Sequence, residues 1–123
     1  MGATSPELTA GMFIERFNAG DAAGMVLLYE DDAVFTYDGE EKATGRRQIE
    51  RALAGFMMAK LRMRGSVVSL YVSGDRALTR MKWELVDSSD TVQSSAISCE
   101  VQRLGPDGLW RFVLDDATAG SRA

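Results

Sequence analysis

The chain has 123 residues, 46% of them hydrophobic and 26% charged, which fits one globular domain and excludes wholesale disorder. Its 14 Lys and Arg against 18 Asp and Glu leave a net charge of −4, a poor balance for gripping a nucleic-acid backbone or an anionic membrane. There is no histidine, so Ser-His and Cys-His nucleophile pairs and the commonest metal ligand are excluded, and acid–base work falls to Asp, Glu, Tyr, Lys or a bound cofactor. Ser5-Pro6-Glu7 reads as a helix start, followed by Leu8, Met12, Ile14 and Phe17 near helical spacing with Phe13 beside them. Asn18-Ala19-Gly20 ends that helix, and Asp21 caps a shorter one carrying Met25, Val26, Leu28 and Tyr29. After the break at Glu30-Asp31-Asp32, residues 33–37 read as a strand, Asp38-Gly39 as its turn, and 40–44 as a short return strand. Gly45 leads into a third helix whose Ile49, Leu53, Phe56 and Met57 form one apolar stripe.

From Gly65 onward the hydrophobic period becomes two. Strands are predicted over 67–72, 77–86, 92–104 and from 109 to 115 or 116, with turns at Ser73-Gly74-Asp75, at 87–90 and at 105–108. Helices first and antiparallel strands last make an α+β arrangement, read as a single domain over 5–117 with a flexible tail at 118–123. The N-terminus shows neither a basic leader nor an apolar stretch, and no apolar run approaches the roughly 20 residues that span a bilayer. Cys99 alone forms no internal disulfide or thiolate cluster, so the expectation is a cytoplasmic protein.

Asn18-Ala19-Gly20-Asp21, the Glu30-Asp31-Asp32-Ala33-Val34-Phe35 segment, Gly45-Arg46-Arg47-Gln48-Ile49 and the closing Asp107-Gly108-Leu109-Trp110-Arg111-Phe112 together resemble the nuclear transport factor 2-like superfamily. Within it the chain is most similar to the SnoaL-like and ketosteroid-isomerase-like small proteins. The resemblance covers about Glu7 to Ala117. It implies a strongly curved, mostly antiparallel sheet wrapped around the helices, a pocket at the open end, and a homodimer formed through the outer face of the sheet. Fold does not fix activity on this scaffold. Steroid isomerases use an Asp base with an oxyanion hole of Tyr and protonated Asp. Placed without gaps, the base position falls at Tyr37, the oxyanion Tyr at Phe13 and the oxyanion Asp at Ile97. All three are changed, which implies no steroid-isomerase activity.

The resemblance also implies a working carboxylate near the end of the last strand, where Asp115 and Asp116 are adjacent. Successive strand residues point to opposite faces, so only one should look inward. Periodicity favours Asp116, which shares a face with Trp110, Phe112 and Leu114, whereas gap-free placement favours Asp115. A buried carboxyl would have its pKa raised and could act as acid or base near neutral pH. Tyr29, Tyr37 and Trp83 could present hydrogen-bond donors to a ligand oxygen. Phe13, Phe17 and Phe56 are expected as wall, with Ile97 and Cys99 completing the ligand-facing set, Cys99 as a buried small apolar residue. The acidic pairs Asp31-Asp32 and Glu40-Glu41 read as solvated, so no metal is expected. Arg46-Arg47 reads as a solvated face, although its place in a helix first turn gives a mild hint of anion contact. The expected function is binding of a hydrophobic small molecule, with cofactor-free isomerase, cyclase or hydrolase chemistry. The alternative is a non-catalytic ligand-binding or association module.

Overall fold

A computed structural model describes residues 2–121. Three helices, α1 (Leu8–Asn18), α2 (Ala22–Val26) and α3 (Arg46–Met57), share the N-terminal half with β1 (Tyr29–Thr36) and β2 (Lys42–Thr44). β3 (Arg62–Ser73), β4 (Arg76–Val86), β5 (Val92–Ile97), β6 (Cys99–Leu104) and β7 (Trp110–Asp116) follow. The strands build one curved, open sheet in the order β2-β1-β7-β6-β4-β3, with β5 paired to β4. β1 and β7 run parallel, so the sheet is mixed, although every other pairing is antiparallel.

The buried stripe of α1 is Thr9, Phe13 and Phe17, at i, i+4 and i+8. Leu8, expected on that stripe, is 48% exposed. The helix begins at Leu8 with Glu7 as its N-cap, while the Ser5 hydroxyl donates to the Glu7 carboxylate at 3.3 Å. Asp21 caps α2 as expected, accepting from the Gly24 N–H at 2.8 Å. Leu28 and Tyr29 lie beyond that short helix, yet both are fully buried. Gly45 precedes α3 at φ 83°, a left-handed conformation that side chains disfavour. Its N–H donates to the Ala33 carbonyl at 2.9 Å and anchors the helix to β1. Ile49 and Leu53 then face the core.

β1 starts at Tyr29, so the acidic run Glu30-Asp31-Asp32 that the sequence presents as a break lies inside the strand. The charges there have partners: Glu30 pairs with Arg103 and Asp31 with Arg46. β3 begins at Arg62, five residues before its expected start. It holds Gly65 where a Cβ would stand 2.4 Å from the Lys82 carbonyl oxygen. In β4 the expected alternation runs from Ala77 to Leu85, with Ala77, Thr79, Met81, Trp83 and Leu85 buried, and ends at Val86, which is buried too. The single strand expected over 92–104 is interrupted at Ser98. There the Ser98 N–H donates to the Met81 carbonyl at 2.9 Å, but the Met81 N–H donates to Ser98 Oγ at 3.2 Å. A side-chain hydroxyl thus replaces a main-chain carbonyl in the ladder.

Near both ends of the described residues the chain is held by tertiary contacts. Ala3 is fully buried and bridges Trp110. In the expected tail, Thr118 Oγ1 donates to the Tyr37 carbonyl at 2.6 Å and the Gly120 N–H to the Ile97 carbonyl at 2.8 Å. Residues 122 and 123 of that segment lie outside the described residues. The main core fills the space between the helices and the inner face of the sheet, around Phe13, Phe17, Tyr29, Leu53, Trp83 and Phe112.

Candidate functional site

A cavity of about 60 Å³ opens between the helices and the inner face of the sheet. That volume accommodates about four water molecules or a small organic group. Phe13 and Phe17 from α1, with Leu53 and Phe56 from α3, form its helical wall. The sheet contributes Phe35, Met63, Met81, Trp83, Leu85 and Phe112. Four residues with polar side chains interrupt this apolar lining: Tyr37, Ser98, Glu100 and Asp115.

Asp115 reaches the cavity because β7 is irregular. Against β6, Phe112 pairs with Gln102 while Leu114 pairs with Val101, which leaves Val113 as an extra residue on β7. A bulge of this kind resets the alternation of side chains. Phe112 and Asp115 therefore both face inward although three residues apart, and Leu114 turns outward at 49% exposure. Asp116, which the unbroken periodicity favours, lies outside the cavity wall.

Glu100, which the sequence does not single out, stands directly across from Asp115 as its partner on β6. Side chains so paired have Cβ atoms about 4.5–5.5 Å apart. Both carboxyl groups are buried. Burial pushes the Asp115 carboxyl up to about 7, with the Tyr29 hydrogen bond opposing and the charge of Asp116 adding to the rise. Burial, followed by the charge of Asp115, pushes Glu100 up to about 8 against hydrogen bonds from Ser98 and Thr79. The Tyr29 phenol donates to Asp115 Oδ2 at 2.5 Å. Its own pKa is raised, first by burial and then by the Asp115 charge. Behind Glu100 runs a buried polar chain. Thr9 Oγ1 donates to Gln102 Oε1 at 2.7 Å, Gln102 Nε2 donates to the Pro6 carbonyl at 3.0 Å and to Thr79 Oγ1 at 3.4 Å, and Thr79 Oγ1 donates to Glu100 Oε1 at 2.8 Å. Two carboxyls so close in an apolar setting do not both ionise readily, so one keeps a proton near neutral pH.

Of the residues expected at the ligand, Phe13, Phe17, Tyr37, Phe56 and Trp83 line the cavity. Tyr37 sits at the rim, its ring centroid 5.2 Å from Phe56 and 6.2 Å from Trp83. Tyr29 stands behind the wall and spends its proton on Asp115 rather than on a ligand. The Trp83 indole N–H is likewise committed, donating to the Ala117 carbonyl at 2.7 Å. Ile97 and Cys99 are not on the cavity wall. The run 97–102 alternates two sets of side chains, and it is Ser98, Glu100 and Gln102 that are buried while Ile97, Cys99 and Val101 are partly exposed. A strand whose polar parity faces inward inverts the usual pattern. No signal in the strand itself marks Glu100; the inversion becomes visible only once Thr9 and Thr79 are seen to supply hydrogen-bond partners. Arg46 is a structural clamp: its guanidinium donates to the Tyr29 carbonyl at 3.0 and 2.7 Å and pairs with Asp31 at 2.9 Å. Among the described residues, no three acidic or sulfur side chains gather where they could hold a metal ion, and no helix is long and apolar enough to cross a membrane.

Residues 10–114 match the family model of the SnoaL-like domain. Among curated proteins none matches. Solved structures similar to the chain include a nuclear transport factor 2-like protein with a cystatin-like fold from Novosphingobium aromaticivorans, with TM-score 0.81, 20% identity, and coverage of 95% of this chain and 81% of that one. A provisional calcium/calmodulin-dependent protein kinase type II association domain from Thiobacillus denitrificans gives TM-score 0.83 at 20% identity, over 96% and 97% of the two chains. A protein from Catenulispora acidiphila, solved in complex with S-DNPA, gives TM-score 0.71 at 18% identity, over 87% and 84%. At these identities the likeness carries the fold alone.

Proposed function

The chain belongs to the SnoaL-like domain family, and from that premise we propose that it binds a small, largely apolar molecule and moves a proton on it with the Glu100–Asp115 pair. The observation that carries this reading is the pairing itself: two buried carboxyl groups, one on each of two neighbouring strands, lining the same aromatic cavity. Burial raises both carboxyls to near neutrality, about 7 for Asp115 and about 8 for Glu100, the range where proton donors and acceptors work best. The ligand complex of the Catenulispora relative supports a ligand-binding role on this scaffold. The roles expected from steroid isomerases are not filled at Phe13, Tyr37 and Ile97, so a true steroid isomerase is not proposed.

The cavity selects against anions, since a negative ligand would meet carboxylates with no cation among the lining residues. The proposed class is therefore a neutral molecule that carries a carbonyl or comparable lone-pair atom on an apolar frame, handled without a cofactor. The test is a panel of small ketones and matched carboxylates, such as acetone and acetate, followed by NMR in D2O. Binding of the ketones but not the acids, with faster deuterium exchange beside the carbonyl that Asp115→Asn abolishes, would establish proton transfer. Binding without exchange across the panel would leave a binding module, and no binding at all would overturn the reading.

A homodimer belongs to the same proposal. Tyr71, Leu78, Val101, Leu114 and Val34 are successive cross-strand partners over β3, β4, β6, β7 and β1. They form one apolar row on the outer face, with Tyr71 66% exposed. This row also favours the second reading, an association module, in which the outer face is the working surface. A cytoplasmic location is proposed from the free thiol of Cys99.

A further inference from the structure

We propose that the two carboxyls have fixed and different roles, with Glu100 as the proton-holding acid and Asp115 as the ionised base, and that Gln102, Thr79 and Tyr29 are the positioning residues that impose this order. The inference rests on the acid–base reading of the cavity and assigns its direction.

The direction follows from which groups can only accept. The Pro6 carbonyl has no proton to give, so the group it faces at 3.0 Å must be the Gln102 amide nitrogen. That fixes the flip of the amide. The amide oxygen then accepts from Thr9, and the second N–H of the same nitrogen points to Thr79 Oγ1. Thr79 accepts there with one lone pair, and its single proton is assigned to Glu100 Oε1 at 2.8 Å. Glu100 Oε1 is thereby held as an acceptor, and any proton on Glu100 must sit on Oε2. On the other strand, Tyr29 is buried and its phenol has one proton, which it gives to Asp115 Oδ2.

The two terminal hydrogen bonds differ in kind. Tyr29 to Asp115 measures 2.5 Å, within the range of hydroxyl donors to a charged carboxylate, about 2.5–2.7 Å. Thr79 to Glu100 measures 2.8 Å, the ordinary length between neutral oxygens, about 2.7–2.8 Å. The shorter bond supports the charge on Asp115 and the proton on Glu100. Two neighbours work against this order: the charge of Asp116 raises Asp115, and the hydrogen bond from Ser98 lowers Glu100. Asp116 follows Asp115 on β7, and Cys99 precedes Glu100 on β6. Arg80 acts on Cys99 from β4. Tyr37 is the remaining titratable residue on the cavity wall. A ligand entering the cavity meets an O–H donor at Glu100 and an acceptor at Asp115. That arrangement suits a molecule with a lone-pair atom at one position and a removable proton at a neighbouring one.

The order can be read in the ligand-free protein, so it stands or falls separately from ligand binding and turnover. The measurement is a carbon-13 NMR titration of protein labelled at the Glu and Asp side-chain carboxyls, with Glu100→Gln and Asp115→Asn supplying the assignments. In the wild type, Asp115 should ionise at lower pH than Glu100. Tyr29→Phe should raise the Asp115 midpoint by about one pH unit or more, the scale of one lost charge-assisted hydrogen bond. Gln102→Leu and Thr79→Val should move the Glu100 midpoint and leave that of Asp115 within a few tenths of a unit. A merely structural role would lower stability without moving either midpoint. Should Tyr29→Phe fail to fold, the wild-type order alone decides. Glu100 ionising first, or both carboxyls changing together with no order, would overturn the assignment.

Discussion

Glu100→Gln is the substitution whose consequences can be worked furthest from the structure. Gln keeps the shape of the side chain and an oxygen to accept from Thr79, but it cannot ionise. In the folded protein Glu100 is raised from 4.5 to about 8 and Asp115 from 3.8 to about 7. The folded state therefore holds protons that the unfolded chain has released. Stability contributed this way is present in full below about pH 4 and is lost as pH rises through the folded values. At about 1.4 kcal/mol per pH unit, ionising Glu100 alone costs about 5 kcal/mol and Asp115 about 4 kcal/mol. The repulsion between them is common to both figures, so the pair together costs less than their sum. Wild-type stability should thus fall by about 5 kcal/mol between pH 5 and pH 9, comparable with the whole stability of a small domain. No histidine titrates in the middle of this window. In Glu100→Gln only Asp115 remains to ionise, without its charged neighbour, and the slope should be roughly halved. The variant should be more stable than wild type by about 2 kcal/mol at pH 9 and within about 1 kcal/mol of it at pH 5. The assay is urea unfolding at fixed pH, followed by the fluorescence of Trp83 and Trp110. Wild-type stability that is flat or rising from pH 6 to pH 9, or a variant no more stable than wild type at pH 9, would refute this account of the site.

Leu53→Ala should cost about 2–5 kcal/mol in the same urea assay, because the side chain is buried on α3. It should also shift the ligand panel toward longer ketones, since Leu53 lines the cavity; an unchanged ranking would show that this wall does not set ligand size. Gly65→Ala should lower stability by about 1–3 kcal/mol, its Cβ being forced toward the Lys82 backbone rather than toward a movable side chain. Thermal melting of the variant checks this, and an unchanged midpoint would contradict the register of β3 on β4. Leu114→Glu should convert the proposed dimer to a folded monomer in analytical ultracentrifugation, while a dimer that survives it would place the contact elsewhere.

The fold was legible because its signals are local and redundant. Asp21 as a cap, Gly45 before α3, the Ile49–Leu53 stripe and the strict alternation of β4 each follow from nearest-neighbour rules, and the structure contains them all. The cavity wall was legible in part, since Phe13, Phe17, Phe56 and Trp83 are large apolar groups on elements already identified. Glu100 was not, because a carboxyl placed inward on the polar parity of a strand looks identical to a solvated one until its partners are known. Its partner Thr79 lies on another strand, and the chain behind it depends on a bond between Thr9 and Gln102, 93 positions apart. The choice between Asp115 and Asp116 depended on the extra residue at Val113, which only the register against β6 shows. The acidic start of β1 was hidden for a similar reason, its charges being neutralised by Arg46 and Arg103 from other elements.

The parallel pairing of β1 with β7 has a consequence for the order of events during synthesis. β1 has two neighbours in the sheet, the short β2 and β7. Until the segment through Asp116 has emerged from the ribosome, β1 offers an unpaired edge, and the Tyr29 phenol lacks its buried acceptor. The N-terminal helices can form early from local contacts, but they then cover a sheet whose centre is missing. Pairings between distant segments are slow to form, and exposed edges invite contact with other chains. The interval before β7 arrives is therefore the one in which β1 presents its longest unpaired edge. The same strand that closes the sheet delivers Asp115, so the carboxyl pair with Glu100 is assembled only when the sheet is complete.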